Sequence, residues 1–211
     1  MLLKVCGLKD PENIKQVATL KPDYMGFIFY PESKRFVGDD FVMPTISHEI
    51  KKVGVFVNAN SSYIIDKVDE YKLDLIQLHG DEKPEFCEVL NHIVPVIKAF
   101  GVDELFDFEK LEAYKTKCTY FLFDTKTKEY GGSGKQFDWD LLEKYDNSVP
   151  FFLSGGIGVE EIEKFEDWNP DSYRDGKLDI HAIDVNSRFE TKPGIKDIKQ
   201  LEKIILMKHE N

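Results

Sequence analysis

The sequence predicts an α/β protein built from eight strand–helix units whose parallel strands close into a barrel. Three observations carry that expectation. Eight short runs rich in β-forming residues recur, starting roughly every 20 to 30 residues. Their apolar residues are consecutive rather than alternating, as expected for strands covered on both faces. Between them lie segments whose apolar residues are spaced by three and four, the period of amphipathic helices. Alternating strands and helices lead to parallel βα units, and these build either an open doubly wound sheet or a closed barrel. An open sheet often carries a glycine-rich fingerprint after its first strand, whereas the loop here, CGLKDPEN, has one glycine. The count of eight and the even spacing favour the (β/α)8, or TIM, barrel. At 211 residues it lies near the small end of that fold's range. No linker or composition break divides residues 1–211, so one domain is expected.

The units follow in order. The strands are LLKVC (2–6), YMGFIF (24–29), KVGVFV (52–57), LDLIQL (73–78), VPVIKAF (94–100), YFLFD (120–124), PFFLSG (150–155) and HAIDV (181–185). The first helix, DPENIKQVATLK, opens with Asp10 as N-cap, Pro11 at the first helical position and Glu12 in the first turn. SSYIIDKVDEYK (61–72) places Ile64, Ile65, Val68 and Tyr71 on one face. DEKPEFCEVLNH, DELFDFEKLEAYK, FDWDLLEKYD and VEEIEKFEDW show the same period, and IKDIKQLEKIILM closes the series with Ile195, Ile198, Leu201, Ile204 and Ile205. The weakest crossover is 31–51, which reads as a long loop with a short helix.

Composition narrows the function. Apolar residues are 42% and charged residues 32%, a globular balance with a formal charge of −11. Such an acidic chain is a poor candidate for nucleic acid or an anionic membrane surface. A small anionic ligand needs only a local positive pocket. No run approaches the ~20 apolar residues of a membrane span, and MLLKVCGLKD does not read as a signal peptide. The three cysteines, Cys6, Cys87 and Cys118, contain no CxxC pair. A disulfide framework and a four-thiolate metal site are therefore not expected, and a reducing, cytoplasmic setting is.

In such a barrel the chemistry belongs at the C-terminal strand ends. Those positions hold Cys6 and Gly7, Arg35, Asn58, His79, Asp124, SGGIG (154–158) and DVNSRFE (184–190), which includes Asp184, Asn186 and Ser187. SGGIG is the strongest signal. Gly155 and Gly156 let the backbone approach a ligand closely, and the helix N-terminus beyond makes an anion site. Its place after the seventh strand favours phosphate over a plain tight turn. Cys6 and Asp124 can face one another across the mouth as base and acid, needing no metal. Cys87 and Cys118 read as small core residues. Arg35 is equally a solvated surface residue or, through its planar fork, a carboxylate ligand. His79 orients a loop or touches the substrate, and no second histidine stands at ligand spacing. The glycine loop GGSG (131–134) is either a flap over the site or a flexible connection.

KVCGLKDPEN, DYMGFIFYPESKRFV, KVGVFVN, IQLHGDE, FDTKTKEYGGSGK, FLSGGIG and DVNSRFETKPGIKD occur in this order over residues 4–197. Together they closely resemble the phosphoribosylanthranilate isomerase family of tryptophan biosynthesis. The resemblance implies a (β/α)8 barrel and a cofactor-free Amadori rearrangement of N-(5-phosphoribosyl)anthranilate. It implies that Asp124 is the general acid and Cys6 the general base, and that Arg35 holds the anthranilate carboxylate. It further implies that the segments around Gly155, Gly156, Asn186 and Ser187 hold the phosphate, and it leaves open a monomer or a homodimer. Two departures stand out: Arg188 replaces a glycine common in the family, and 171–181 reads as a polar insertion away from the active face. Three other readings compete. A sugar-phosphate epimerase wants paired carboxylates or metal-binding histidines, which are not found. An indole-forming synthase wants strand-end lysine and glutamate, for which only Lys98 offers itself. A phosphometabolite sensor has no need of both Cys6 and Asp124.

Overall fold

The computed structural model describes residues 2–126, 137–162 and 180–210, with side chains as far as Leu206. Eight strands form a closed barrel: β1 (Leu2–Val5), β2 (Tyr24–Ile28), β3 (Lys51–Phe56), β4 (Leu75–Leu78), β5 (Val96–Val102), β6 (Tyr120–Thr125), β7 (Phe151–Leu153) and β8 (Ile180–Val185). Each pairs in parallel with the next, and β1 pairs with β8, with Lys4 opposite Asp184. The barrel read from the sequence is the barrel observed.

Strand residues alternate between two faces, and here each face has its own core. Tyr24, Val53, Leu75, Ile97, Ala99, Leu122, Phe152 and Ala182 fill the barrel axis. Val5, Phe27, Phe56, Phe121, Phe123 and Phe151 belong to the larger cluster beneath the helices. This two-sided burial is why the strands read as unbroken apolar runs. At the N-terminal end the Tyr24 hydroxyl meets His181 Nε2 at 2.7 Å, and the Tyr120 ring lies 4.4 Å from the His181 ring. Aromatic rings thus fill the end of the barrel remote from the loops that follow the strands.

Helices α1 (Pro11–Thr19), α2 (Ser61–Tyr71) and α3 (Pro84–Asn91) stand where the period places them. Asp10 accepts the Asn13 N–H at 2.8 Å and Asn60 accepts the Tyr63 N–H at 2.9 Å; each such cap stabilises a helix by about 1 kcal/mol.

Other elements differ from the expectation. Units five and six carry short 3-10 helices, Phe108–Tyr114 and Trp139–Lys144. Asp107 and Asp138 each cap an N–H two residues on, starting tight turns that bury Leu111 in the first and Trp139 and Leu142 in the second. The 31–51 crossover holds no helix. Phe36 bridges to Ile28, and buried Phe41 and Ile50 tie the segment down as turns and extended chain. The last helix begins at Ile198, not Ile195. Ile195–Lys196 (β10) instead pairs with Glu190–Lys192 (β9), the turn passing through Gly194 at φ +86°. Asp197 then caps the helix through the Gln200 N–H. Residues 159–162 start a helix after β7. The GGSG segment and 171–179 of the expected insertion lie outside the described residues.

Candidate active site

A polar layer caps the apolar axis. Lys4, inward on β1 and fully buried, places Nζ 2.7 Å from Asp184 Oδ1 on β8. Asp184 Oδ2 accepts the Ser154 hydroxyl at 3.1 Å. Desolvation alone would discharge Lys4, but the attraction of Asp184 and of Cys6 outweighs it and holds the ammonium above its ordinary value. Asp184, expected among ligand-binding groups, is therefore occupied as the counter-ion beneath the mouth.

Cys6 lies two residues beyond Lys4, just past the end of β1, its N–H bonded to the Val185 carbonyl at 2.9 Å. It is buried against Gly26 of β2, where an added Cβ would stand 2.7 Å from its Sγ. Burial pushes the thiol up; the ammonium charges of Lys4 and Lys196 pull it back down, and Asp184 adds to the rise. Asp124 is the penultimate residue of β6, its Oδ1 accepting the Thr125 N–H at 2.8 Å. Burial first, and Asp184 second, push its carboxyl up to about 7, against Thr125 and Lys4. Lys4 and Asp184 thus act on both Cys6 and Asp124, which makes the two one electrostatic unit.

His79 follows β4 with Nε2 3.7 Å from Asp124 Oδ2. Burial, then Lys98 and Lys4, push it down to about 3, so it is neutral. Its Nδ1 faces the Gln77 amide Nε2 at 2.9 Å. With that amide donating, the ring proton sits on Nε2, towards Asp124.

Arg35, after β2, is not the solvated surface residue: its side chain is 11% exposed and grips Glu190, 4% exposed. Nε donates to Glu190 Oε1 and Oε2 at 2.9 and 3.0 Å, and Nη2 to Oε2 at 2.8 Å. Lys196, buried on β10, donates to Glu190 Oε1 at 2.9 Å, to Asn186 Oδ1 at 2.8 Å and to the Asn186 carbonyl at 3.1 Å. The Gly194 N–H adds a bond to Oε1 at 3.0 Å. Gly7, at φ +77°, makes this packing possible, because a Cβ there would lie 2.5 Å from Asn186 Oδ1 and 2.7 Å from Arg35 Cδ.

Gly155 and Gly156 have φ +95° and +66°. Gly155 packs so tightly on β6 that a Cβ would meet Thr125 Oγ1 at 2.4 Å. The loop after β8 comes alongside: Ser187–Phe189 forms one 3-10 turn preceded by Asn186. Arg188, the departure from the family pattern, reaches Glu161 at 3.5 Å, and Glu161 also accepts the Gly158 N–H at 2.8 Å. Among the described residues no group of three or more His, Cys, Asp or Glu side chains is placed to hold a metal ion.

Sequence reasoning missed Lys4, Glu190 and Lys196. Lys4 was legible in principle: a charge inside an apolar run must be buried and paired. Glu190 and Lys196 meet through a hairpin that helical periodicity obscures. Lys98, the one residue offered for an indole-forming reading, is committed elsewhere. Its Nζ bonds Glu82 Oε2 at 3.1 Å and the carbonyls of Leu78, Gly80 and Ala99. Glu82 in turn accepts the N–H groups of Asn58 and Gly80, so the HGDE segment ties the loops after β3 and β4 to Lys98 of β5.

A family model described as N-(5'phosphoribosyl)anthranilate (PRA) isomerase matches residues 3–206. The N-(5'-phosphoribosyl)anthranilate isomerase of Parabacteroides distasonis is 45% identical over 210 residues, covering 97% of this chain and 92% of that one. That of Phocaeicola vulgatus is 41% identical over 204 residues, covering 93% and 92%. The crystal structure of the Thermotoga maritima phosphoribosyl anthranilate isomerase superposes with a TM-score of 0.81 at 33% identity, covering 99% of this chain and 98% of that one. A phosphoribosyl anthranilate isomerase solved in complex with reduced 1-(o-carboxyphenylamino)-1-deoxyribulose 5-phosphate superposes at 0.77, with 29% identity and 97% of each chain covered.

Proposed function

The chain belongs to the phosphoribosylanthranilate isomerase family, and from that premise we propose how its own residues carry the reaction. It catalyses the Amadori rearrangement of N-(5-phosphoribosyl)anthranilate, an aminoaldose, to the aminoketose 1-(2-carboxyphenylamino)-1-deoxyribulose 5-phosphate. Substrate and product are at the same overall oxidation level, so carbon 1 is reduced as carbon 2 is oxidised and no cofactor is consumed.

Asp124 in its protonated form delivers a proton to the ribose ring oxygen. The aniline nitrogen lone pair expels that oxygen from carbon 1, leaving a protonated Schiff base. The Cys6 thiolate then takes the proton from carbon 2, and the electron pair runs back to the nitrogen, giving an enolamine that tautomerises to the ketone. An acid and a base must coexist in opposite states at one pH. Asp124 suits the acid because its proton is held to about 7. Lys4 and Lys196 suit the base because their charges favour the thiolate against burial. His79, neutral and with Nε2 towards Asp124, orients the acid without competing for its proton.

In this reading the phosphate sits on the backbone of Gly155, Gly156 and Ser187, with the Asn186 amide nitrogen nearby, and Arg35 takes the anthranilate carboxylate. Asp184 supports both reacting groups through Lys4. Arg188 neutralises Glu161 at the edge of the phosphate loop. Every group comes from one chain, so the reading serves a monomer and a homodimer alike. No helix among the described residues is long and apolar enough to cross a membrane, and three free thiols suit a reducing cytoplasm.

The observation that supports the proposal is that Cys6 and Asp124 both lie within the field of one buried Lys4–Asp184 pair. The test is loss of the substrate's fluorescence, the substrate being formed in place from anthranilate and phosphoribosyl pyrophosphate. Cys6→Ala and Asp124→Asn are each expected to lower kcat by at least about 10²-fold while still binding the reduced product analogue. Near-normal turnover in either folded variant removes that residue from its role.

A further inference from the structure

Arg35 carries five N–H donors in a fixed planar fork. Glu190 consumes one edge of that fork, Nε and Nη2. The opposite edge, Nη1 with the second Nη2 proton, makes no hydrogen bond among the described residues. That edge is itself a bidentate match for a carboxylate. Glu190 does not compete as a ligand, because its oxygens are already bonded to Arg35, Lys196 and the Gly194 N–H. Nor does it cancel the charge: burial lowers Lys196 to about 8, so at neutral pH Arg35, Lys196 and Glu190 together keep a net +1 and the cluster still attracts an anion.

We infer that Glu190 is a positioning residue for carboxylate recognition. It grips the Nε edge of Arg35 and so presents the outer edge to the benzoate group, while Lys196 supplies the charge that keeps the pair cationic. The β9–β10 hairpin exists, on this view, to carry both members: Glu190 and Lys196 are partners across it, at a shift in the ladder's register. The inference rests on the reading that Arg35 binds the anthranilate carboxylate, and the two fail differently.

The experiment measures calorimetric affinity of the full chain for two probes. One is reduced 1-(o-carboxyphenylamino)-1-deoxyribulose 5-phosphate; the other is its counterpart lacking the carboxyl group. Arg35→Met is expected to bring the two affinities within about threefold. Glu190→Gln is expected to reduce the preference for the carboxylated probe by about tenfold or more, a cost of ~1.4 kcal/mol or more. It leaves the affinity for the carboxyl-free probe within about threefold. In turnover the same variant raises KM more than it lowers kcat. Added to Arg35→Met, Glu190→Gln changes neither affinity further, as a residue acting through Arg35 requires. Thermal melting establishes folding, and Glu190→Asp, which keeps the charge but withdraws it by one methylene, gives an intermediate loss if Glu190→Gln does not fold. A Glu190 variant that keeps the full preference, or weakens both probes equally, overturns the inference while leaving Arg35 in place. An Arg35→Met protein that keeps the preference overturns both.

Discussion

Gly26→Ala tests the placement of the thiol without replacing a reacting residue. A methyl group at Gly26 would stand 2.7 Å from Cys6 Sγ, 3.1 Å from its Cα and 3.2 Å from its Cβ. Comfortable contacts lie at about 3.5–4.0 Å, so Cys6 must retreat by about 1 Å. The retreat cannot be a simple rotation of the thiol, because two of the three contacts are to Cα and Cβ of a residue whose N–H is held by Val185. Misplacing a reacting group by about 1 Å costs about 10²-fold in rate, which is ~2.7 kcal/mol at the transition state. Overpacking of this kind also lowers stability by about 1–3 kcal/mol. Steady-state fluorescence kinetics with a melting curve in parallel would separate the two. The expected result is a folded protein with kcat down about a hundredfold and affinity for the reduced product analogue within about fivefold. A folded variant with kcat within threefold of the parent would show that the thiol needs no fixed position, and the base assignment would fall with it.

Three further expectations follow from the same groups. The reactive form needs Asp124 protonated and Cys6 ionised, yet Asp124 titrates near 7 and Cys6 above the ordinary thiol value of 9.0. The kcat/KM profile should therefore rise up to pH about 7, run flat and fall only above 9, with at most about 1% of the protein in the reactive form; a profile without a limb near 7 contradicts the acid role of Asp124. The raised carboxyl also burdens the fold. The folded state keeps a proton that the unfolded state releases at 3.8, so this group's contribution to stability falls as pH rises through 3.8 to about 7, by on the order of 4 kcal/mol. Asp124→Asn should consequently melt higher than the parent at pH 8 but not at pH 4, and equal melting at pH 8 would refute the shift. Lys98→Met should destabilise by about 3–5 kcal/mol in urea unfolding, because it leaves buried Glu82 unpaired; a change below about 1 kcal/mol would mean that the buried pair is dispensable.

The barrel was legible because its strands announce themselves: burial on both faces leaves an apolar run that short length and β-forming residues mark as strand. Capped helices were legible for a local reason, Asp10 and Asn60 standing directly before their helices. The 3-10 segments were not, since Leu111 and Leu142 satisfy a three-residue and a four-residue period equally well. Ile195 fits the helical series and yet belongs to β10, because Gly194 permits a turn whose hydrogen bonds outweigh three more helical residues. Cys6, Asp124, His79 and the glycine pair could be placed by strand-end position, but their roles came from the resemblance. What no local pattern discloses is partnership. That Arg35 answers to Glu190, 155 residues later, is a property of the closed ring.

Closure has a consequence for how the chain comes into being. Lys4 precedes its partner Asp184 by 180 positions. Until the eighth strand is synthesised, the first strand carries a cation that no earlier segment neutralises, and burying it alone would be strongly unfavourable. A growing chain therefore gains nothing by completing the first strand's inward packing early. The eighth strand supplies the counter-charge, the Val185 carbonyl that holds Cys6 and the ladder that seals the ring. The charge pair beneath the reacting groups and the ladder that closes the barrel are therefore made between the same two strands, β1 and β8.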